Sequence, residues 1–547
     1  MKNKFLTVSM LIISLFAMPV TAQKVYHVNK NNGNDSNDGL QWSSAFMNIQ
    51  PAIDKAEKGD TIKVAAGVYL PAKKMADVYN DKSDPVIPTN NRHRSFLIKK
   101  DILLYGGFPV DATNATTMKD RNGKKHETIL SGDFNGDDGE SFENTAENAL
   151  HVIVMLNTTS NALLDGFYIM GGNAAADITD VYVDNILVQY NCGGGVYAIT
   201  KHTSSPTLSN LVILDNQAAH DGGGVYNYSE SGDASPKLSG VTMINNFANE
   251  RRGGAFYNDG MDAAPILLNL NITGNFAAVD GGGVFCIAEN NAAPKLENVL
   301  ISGNEARAGG GVCIISIAEN VSPLITNVTI CGNKATGNDR GGGIIVAALT
   351  GIAKPVIRNS VVWGNKSNRT DNVIIEGGTD ANPEYSYSLI EGLALTGTNL
   401  SGDVNPMFAD PVDVDFAPTV SDFGDYRLLP ESPLVNKGNN SYVTLSEDLD
   451  GQPRIYGDAV DIGAYELQYD NSGNEIIAAG RLIWSYQGNL YVNIGSSVIT
   501  VRVFSMDGTL VKQVNNPYEG VYTFTSLPNG LYVVTLSTGE TAKVLIK

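Results

Sequence analysis

Cysteine is scarce in this chain of 547 residues. Only Cys192, Cys286, Cys313 and Cys331 occur, none in a C-x-x-C spacing and each inside an apolar run. That pattern argues against a zinc or redox centre and assigns the four to packing. Cys286 and Cys313 fall on neighbouring repeat units, where an oxidising compartment permits a disulfide, and the sequence leaves that pairing open. Charge is sparse as well, at 18% of residues, with 38 Lys and Arg against 58 Asp and Glu. A net charge of −20 offers phosphates no basic face, which excludes a nucleic-acid partner. The six histidines are scattered, so no zinc-ligand pattern exists. No 3.6-residue apolar stripe runs through the body of the chain, which rules out a helical solenoid.

What the chain has in quantity is glycine, 57 in all, and a repeated sentence. Prolines 206, 236, 265, 294, 323 and 355 open units such as "SPKLSGVTMINNFA", "APKLENVLISGNEA" and "SPLITNVTICGNKA". Ten residues after each proline stands Asn216, Asn246, Asn275, Asn304, Asn333 or Asn365. The second position after proline is always Leu or Ile, and the seventh is Ile, Met or Val, which marks two core columns. Before each proline comes a glycine block, as in "DGGGVYNY", "RRGGAFYN" and "DGGGVFCI".

The runs between these marks are four to six residues long and rich in Val, Ile and aromatics, which reads as strand. Short strands in units of about thirty residues, without hairpin pairs, describe a coil that returns above itself. The expected fold is therefore all-β, a parallel β-helix in which like residues stack about 4.8 Å apart. The asparagines are expected to ladder their amides from coil to coil in a left-handed bend, and the glycines to supply unusual φ and close backbone approach.

Residues 1–22 read as an export signal: Lys2 and Lys4, an apolar run from Phe5 to Ala17, and the small-residue site Val20-Thr21-Ala22. The mature chain is expected to start at Gln23, with a charge of about −22. Past that signal, no segment reaches the roughly 18 apolar residues of a spanning helix. Residues 23–60 are expected to cap the solenoid through a helix in "NIQPAIDKAEKG", with Asn48 as N-cap, Pro51 in the first turn and Gly59 as terminator. The β-helix is expected over 61–400, clearest over 190–367. From 476 to 547, alternating strands around an Asp-Gly turn predict a small β-sandwich.

These motifs carry a resemblance. "LYGGF", "TILSGD", "LDGFYIMGGNA" and the GGGVY/GN-A repeats resemble right-handed parallel β-helix surface proteins of the polymorphic outer-membrane-protein type. "NPMFADP", "DYRLLPESPLVNKG" and "DLDGQPRIYGDAVDIGAYE", within 401–470, resemble the choice-of-anchor Q domain that ends such solenoids. Residues 476–547 resemble the C-terminal sorting domain of the type nine secretion system of Bacteroidetes. The resemblance implies a right-handed coil, a surface or secreted location, and the outer-membrane secretion machinery as a partner. It fixes no activity.

Three groups of residues are candidate sites. Aligned on the last glycine of each block, Cys192, Asp221, Arg251, Asp280, Ala308 and Arg340 form one column, beside Asn191, His220, Glu250, Val279, Arg307 and Asp339. His220, Asp221, Glu250, Arg251, Arg252 and Asp280 are thus expected to cluster. A cross-coil salt-bridge ladder is the expected role. The alternative is uronate cleavage, in which a cation neutralises the acid and a base takes the adjacent proton. Tyr197, Tyr226, Phe256 and Phe285 form an aromatic column, a candidate sugar platform or an internal stack. In "GDFNGDDGE", Asp133, Asn135 and Asp137 alternate like the opening of a calcium loop, although Asp138 stands where glycine is required. Calcium is thus the one candidate cofactor. The function expected is a monomeric, exported, adhesin-like module that binds glycan or protein without catalysis. The alternatives are a polysaccharide lyase or hydrolase, and a structural envelope stalk.

Overall fold

The computed structural model describes residues 22–74, 91–175, 181–337, 341–367, 372–377, 380–412, 414, 424–468 and the C-terminal strands between 483 and 546. The export-signal run, Asp339, Arg340 and the Asp-Gly turn at 507–508 lie outside the described residues. The chain is all-β and winds as a parallel β-helix with three faces, whose strands and coils are counted below among the described residues. Sheet I has ten strands, nine of them parallel, among them Val196–Thr200, Val225–Ser229, Phe256–Gly260 and Val284–Ala288. Sheet II has eighteen strands, because most coils cross it as two short strands on either side of a bend. Sheet III has six short strands, from Asn173–Ala174 to Lys334–Ala335. Six coils therefore carry all three faces.

Register explains the stacking. Leu208 pairs with Leu238, Leu238 with Leu267, and Leu267 with Leu296. Ile213 pairs with Met243, Met243 with Ile272, and Ile272 with Ile301. Both columns are fully buried. Each such side chain contributes about 1.5–3 kcal/mol by leaving water.

The asparagine ladder forms, but not at left-handed bends. The left-handed residues are those just before it, Asp215, Asn245, Gly274, Gly303, Gly332 and Gly364, and those four after each proline, Asn210, Gly240, Asn269, Asn298, Asn327 and Asn359. The ladder residues take ordinary backbone and use their amides instead. Asn246 Nδ2 donates to Asn275 Oδ1 at 3.0 Å, and Asn275 Nδ2 donates to Asn304 Oδ1 at 2.9 Å. Each Oδ1 also accepts the backbone N–H of the asparagine one coil back. The ladder ends where Asn365 donates to Asn372, whose Nδ2 meets the Glu391 carboxylate at 2.9 Å.

The glycine block is not uniform. Its first residue has positive φ, as in Gly222 at 70°. A Cβ on the second, Gly223, would lie 2.4 Å from the Phe247 backbone oxygen. The third place accepts alanine, since Ala255 stands there in the third coil, stacked between Gly224 and Gly283.

A helix over Ile49–Lys55 covers the first coil. Asn48 is the N-cap by position, yet its side chain makes no cap bond and instead donates to Asp35 Oδ2 at 2.6 Å. Ala56, not Gly59, is the C-cap. Gln50 seals the strand edge: its Nε2 donates to Leu97 O at 3.2 Å and its Oε1 accepts Leu97 N–H at 3.0 Å. This carboxamide pairs the backbone groups that an open edge would leave unsatisfied.

Residues 392–402 close the last coil, with Ser388 N–H on Asn399 Oδ1 at 3.1 Å. The following segment folds back along the outside of sheet II. Phe408, Tyr426, Leu428, Leu434 and Ile462 pack there on Leu300, Cys331 and Val361. C-terminal to it, a three-stranded and a four-stranded antiparallel sheet share one core, Leu490, Val492, Val501, Val503, Phe524 and Val534 among it, which makes a sandwich.

Candidate functional site

The charged cluster assembles, with its register moved by one residue. Aligning on the last glycine misplaces the third coil, because Ala255 occupies the third glycine's position. Gly222 N–H bonds to Arg252 O, and Gly253 N–H to Asp280 O. Arg252, not Arg251, is therefore stacked between Asp221 and Asp280. Arg251 belongs to the adjacent column, where Val279 N–H bonds to its carbonyl at 2.7 Å.

The charges pair across coils: Arg251 with Asp221 at 3.4 Å, Arg252 with Asp280 at 3.5 Å, Arg307 with Asp280 at 3.3 Å, and His220 with Glu250 at 3.6 Å. Burial raises the Asp221 carboxyl, and Arg251 and Arg252 offset part of that rise. Each of these three guanidinium groups faces a carboxylate, which is the geometry of a cross-coil ladder. The exposed His220–Glu250 pair adds little, as exposed ion pairs do.

The same slip affects the aromatic column. Phe256 pairs with Val225 and Val284 and points into the solenoid core. The fourth ring is Tyr257. Tyr197, Tyr226, Tyr257 and Phe285 stack at 5.1, 5.0 and 5.4 Å with ring planes within 17°. The stack is buried on the outer face of sheet I, partly under the hairpin Val181–Val183 and Ile186–Val188. Its faces meet one another and Arg252, whose guanidinium lies 5.2 Å from the Phe285 centroid, so the column offers no open platform for a sugar.

Asp259 was not visible from the repeat alignment. It lies between Tyr228 and Ile287 in register and accepts the Tyr257 hydroxyl at 3.0 Å. A lone carboxylate in an aromatic and aliphatic column was the available signal. Burial, with Asp221 and Glu289 nearby, pushes its carboxyl up to about 6. The protonated form is therefore favoured by folding: this contribution is complete below the unfolded carboxylate range and is lost as pH rises through about 6. The loss is roughly 2–3 kcal/mol. Asp259→Asn is expected to flatten the decline in urea midpoint between pH 4.5 and 7.5, an unchanged slope counting against the assignment.

Cys286 and Cys313 do not approach as a pair. Cys286 is in register with Ile314, and Cys313 with Phe285, so one thiol enters the core and the other the outer cluster. All four cysteines are buried.

In the acidic turn, Asp133 belongs to the convergent acidic group and Asp137 does not, while Asn135 N–H donates to Asp133 Oδ1 at 3.0 Å. The acidic group is Asp133, Asp138 and Glu147, with ligand atoms within 4.8 Å of one another. Gly136, in left-handed conformation, bends the chain so that Asp138 turns back to Asp133.

A groove of about 360 Å³ opens on the outer face of sheet II, where Tyr168, Val212 and Thr242 lie on successive coils. Arg121, Asn122, Lys124 and Asn210 complete its wall. Asp165 fixes two of them, accepting from Arg121 and, at 3.0 Å, from Asn210 Nδ2. Arg121 also lies 5.4 Å from the Tyr105 centroid. The Tyr168 hydroxyl is raised by burial and by Glu127. The groove therefore presents a phenol, two amides and an ammonium on a rigid floor. No sequence pattern marks it, because Arg121, Asn122 and Lys124 come from a loop outside the repeat.

No family model matches the chain, and no curated protein does. Solved structures similar in fold include the following three. The pectate lyase Pel9A aligns over 82% of this chain and 97% of its own, at 15% identity and a TM-score of 0.35. XylC in complex with xylose aligns over 80% and 98%, at 10% and 0.31. The GH136 lacto-N-biosidase of Eubacterium ramulus aligns over 66% and 67%, at 11% and 0.25. Likeness at this level describes the repeating coil, and no residue is carried over from it.

Proposed function

We propose that the protein is an exported, monomeric β-helix that binds glycans at the surface of its cell without cleaving them. The observation that supports this reading most directly is the groove. Tyr168 gives a partly exposed ring for the C–H face of a sugar, Asn122 offers an amide donor and Asn210 an amide acceptor to hydroxyls, and Lys124 favours acidic residues. A site on strands and a clamped loop is pre-organised, which limits the ordering cost of binding. The paired state of Arg251, Arg252 and Arg307 speaks for a structural role of the charged cluster. In this reading the C-terminal sandwich engages the outer-membrane secretion machinery.

A glycan array probed with the purified chain tests the proposal. Binding is expected to an acidic oligosaccharide class and to fall at least about tenfold in Tyr168→Ala/Lys124→Ala, where two contacts of about 1 kcal/mol or more are removed. Arg251→Ala is expected to bind as the parent does. A blank array would return the protein to the stalk reading. Release of unsaturated uronate products, lost in Arg251→Ala, would replace binding by lyase activity.

A further inference from the structure

We propose that Asp133, Asp138, Glu147 and Asn148 form a calcium-binding site that fixes the 133–148 loop to the side of the solenoid. The proposal does not rest on the glycan reading, and it uses a different residue set from the alternating pattern in the sequence.

The three carboxylates converge within 4.8 Å, and among the described residues no salt bridge joins them to Lys or Arg. Convergence of acids alone is common on surfaces. What distinguishes this group is Asn148. Its side chain is completely buried, its Nδ2 lies 2.8 Å from Asp138 Oδ2, and its Oδ1 has no hydrogen-bond partner. Glu147 Oε1 is a second buried oxygen without a partner. A buried acceptor left unmade costs about 1–3 kcal/mol. The two ends of a carboxamide have the same shape, so a half-turn brings Oδ1 to the place now held by Nδ2. That exchange would be repulsive beside Asp138 alone and attractive with a cation between them.

The donor set decides the ion. Every available atom is oxygen, three from carboxylates and one from an amide, and Asp133 and Glu147 are only half-buried, leaving room for water. Calcium takes six to eight oxygens in loose geometry, whereas zinc prefers nitrogen and sulfur and magnesium demands a near-ideal octahedron.

The loop has something to hold. Thr145 O accepts from Asn173 Nδ2 at 2.8 Å, and Thr145 Oγ1 from Gln217 Nε2 at 2.9 Å. Phe142 packs on Phe247 at 4.8 Å, and Phe247 on Phe276 at 5.4 Å. Arg92 Nε holds the Asn148 carbonyl at 3.0 Å, which fixes the backbone there. A bound cation would join the start of the loop at Asp133 to its end at Glu147 and press Phe142 onto sheet III.

Titration calorimetry with calcium chloride on the full chain, freed of metal by chelator, tests this. One saturable site per chain is expected. Its affinity should fall at least about tenfold in Asp138→Asn and in Glu147→Gln, the step expected when one of three anionic ligands is lost. Asp137→Asn should bind as the parent does. Calcium should also slow proteolysis between residues 133 and 148 in the parent and not in Glu147→Gln. Absence of saturable binding in the parent overturns the proposal, as does an Asp138→Asn or Glu147→Gln chain that binds normally. An Asp137→Asn chain that fails to bind would return the site to the alternating pattern and overturn it too.

Discussion

Asn275→Ala is expected to lower the stability of the solenoid by about 3–4 kcal/mol, seen as a fall in the urea midpoint at unchanged slope. Asn275 is almost wholly buried in the middle of the ladder. Its Oδ1 accepts from Asn246 N–H at 2.9 Å and from Asn246 Nδ2 at 3.0 Å. Its Nδ2 donates to Met243 O, Thr273 O and Asn304 Oδ1. Alanine removes all five bonds and leaves Asn246 N–H without an acceptor in a dry turn. Water is a poor substitute there, since the neighbouring coils are only one strand spacing away. Asn249→Ala is the matched control: its amide donates to Gln217 at the surface, and such a change stays within about 0.5 kcal/mol. A cost below about 1 kcal/mol for Asn275→Ala would mean that the ladder follows from the coil and does not hold it.

The second large effect concerns the irregular segment on the flank of sheet II. Arg454 is buried with the carboxylates of Asp448, Asp461 and Glu466. It donates to Glu466 Oε2 at 3.3 Å, to Asp461 O at 3.2 Å and to Gly463 O at 2.6 Å. The carboxylates in turn accept backbone N–H groups of Asn436, Gln452, Tyr456, Asp461, Glu466 and Leu467. A stretch with little regular strand thus satisfies its backbone through side chains. Burial raises the Asp461 and Glu466 carboxyls even with Arg454 present.

Arg454→Ala strands those charges, and losing one partner of a buried ion network costs about 3–5 kcal/mol. The damage is expected to be local, because the solenoid core is continuous without this segment. Tyr426 covers Cys331, a buried thiol whose proton is held well above the ordinary range. A thiol reagent should therefore label Cys331 in Arg454→Ala under conditions where the parent is inert. Hydrogen exchange should rise over 424–467 and stay low in Val299 to Ile301. Loss of protection in both places at once would show a single cooperative unit instead.

Much of the solenoid was legible because its signals repeat. The Leu/Ile column after each proline, the Asn column and the glycine blocks recur at one spacing, and stacking turns a sequence period into a spatial one. The glycine count misled at one point, "RRGGAFYN", where Ala255 replaces a glycine and shifts Arg251 and Phe256 by one place. In a strand, a slip of one residue exchanges the two faces, which is why Phe256 lies in the core and Tyr257 in the outer stack. The acidic turn departs from its sequence pattern for a related reason. Alternation along the chain assumes an extended loop, whereas Gly136 bends this one, and Asp138 and Glu147 meet Asp133 in place of Asp137.

By itself, the sequence determined the all-β parallel coil, its two aliphatic columns, the asparagine ladder and the cluster of cross-coil charges, because each depends on contacts between equivalent residues. Only the tertiary structure decided which way each ring faces, that residues 404–412 and 424–467 lie along sheet II, and where Arg121, Lys124 and Tyr168 meet. Those depend on loops that do not repeat and on the side of a strand a residue occupies, and neither has a period for a sequence to display.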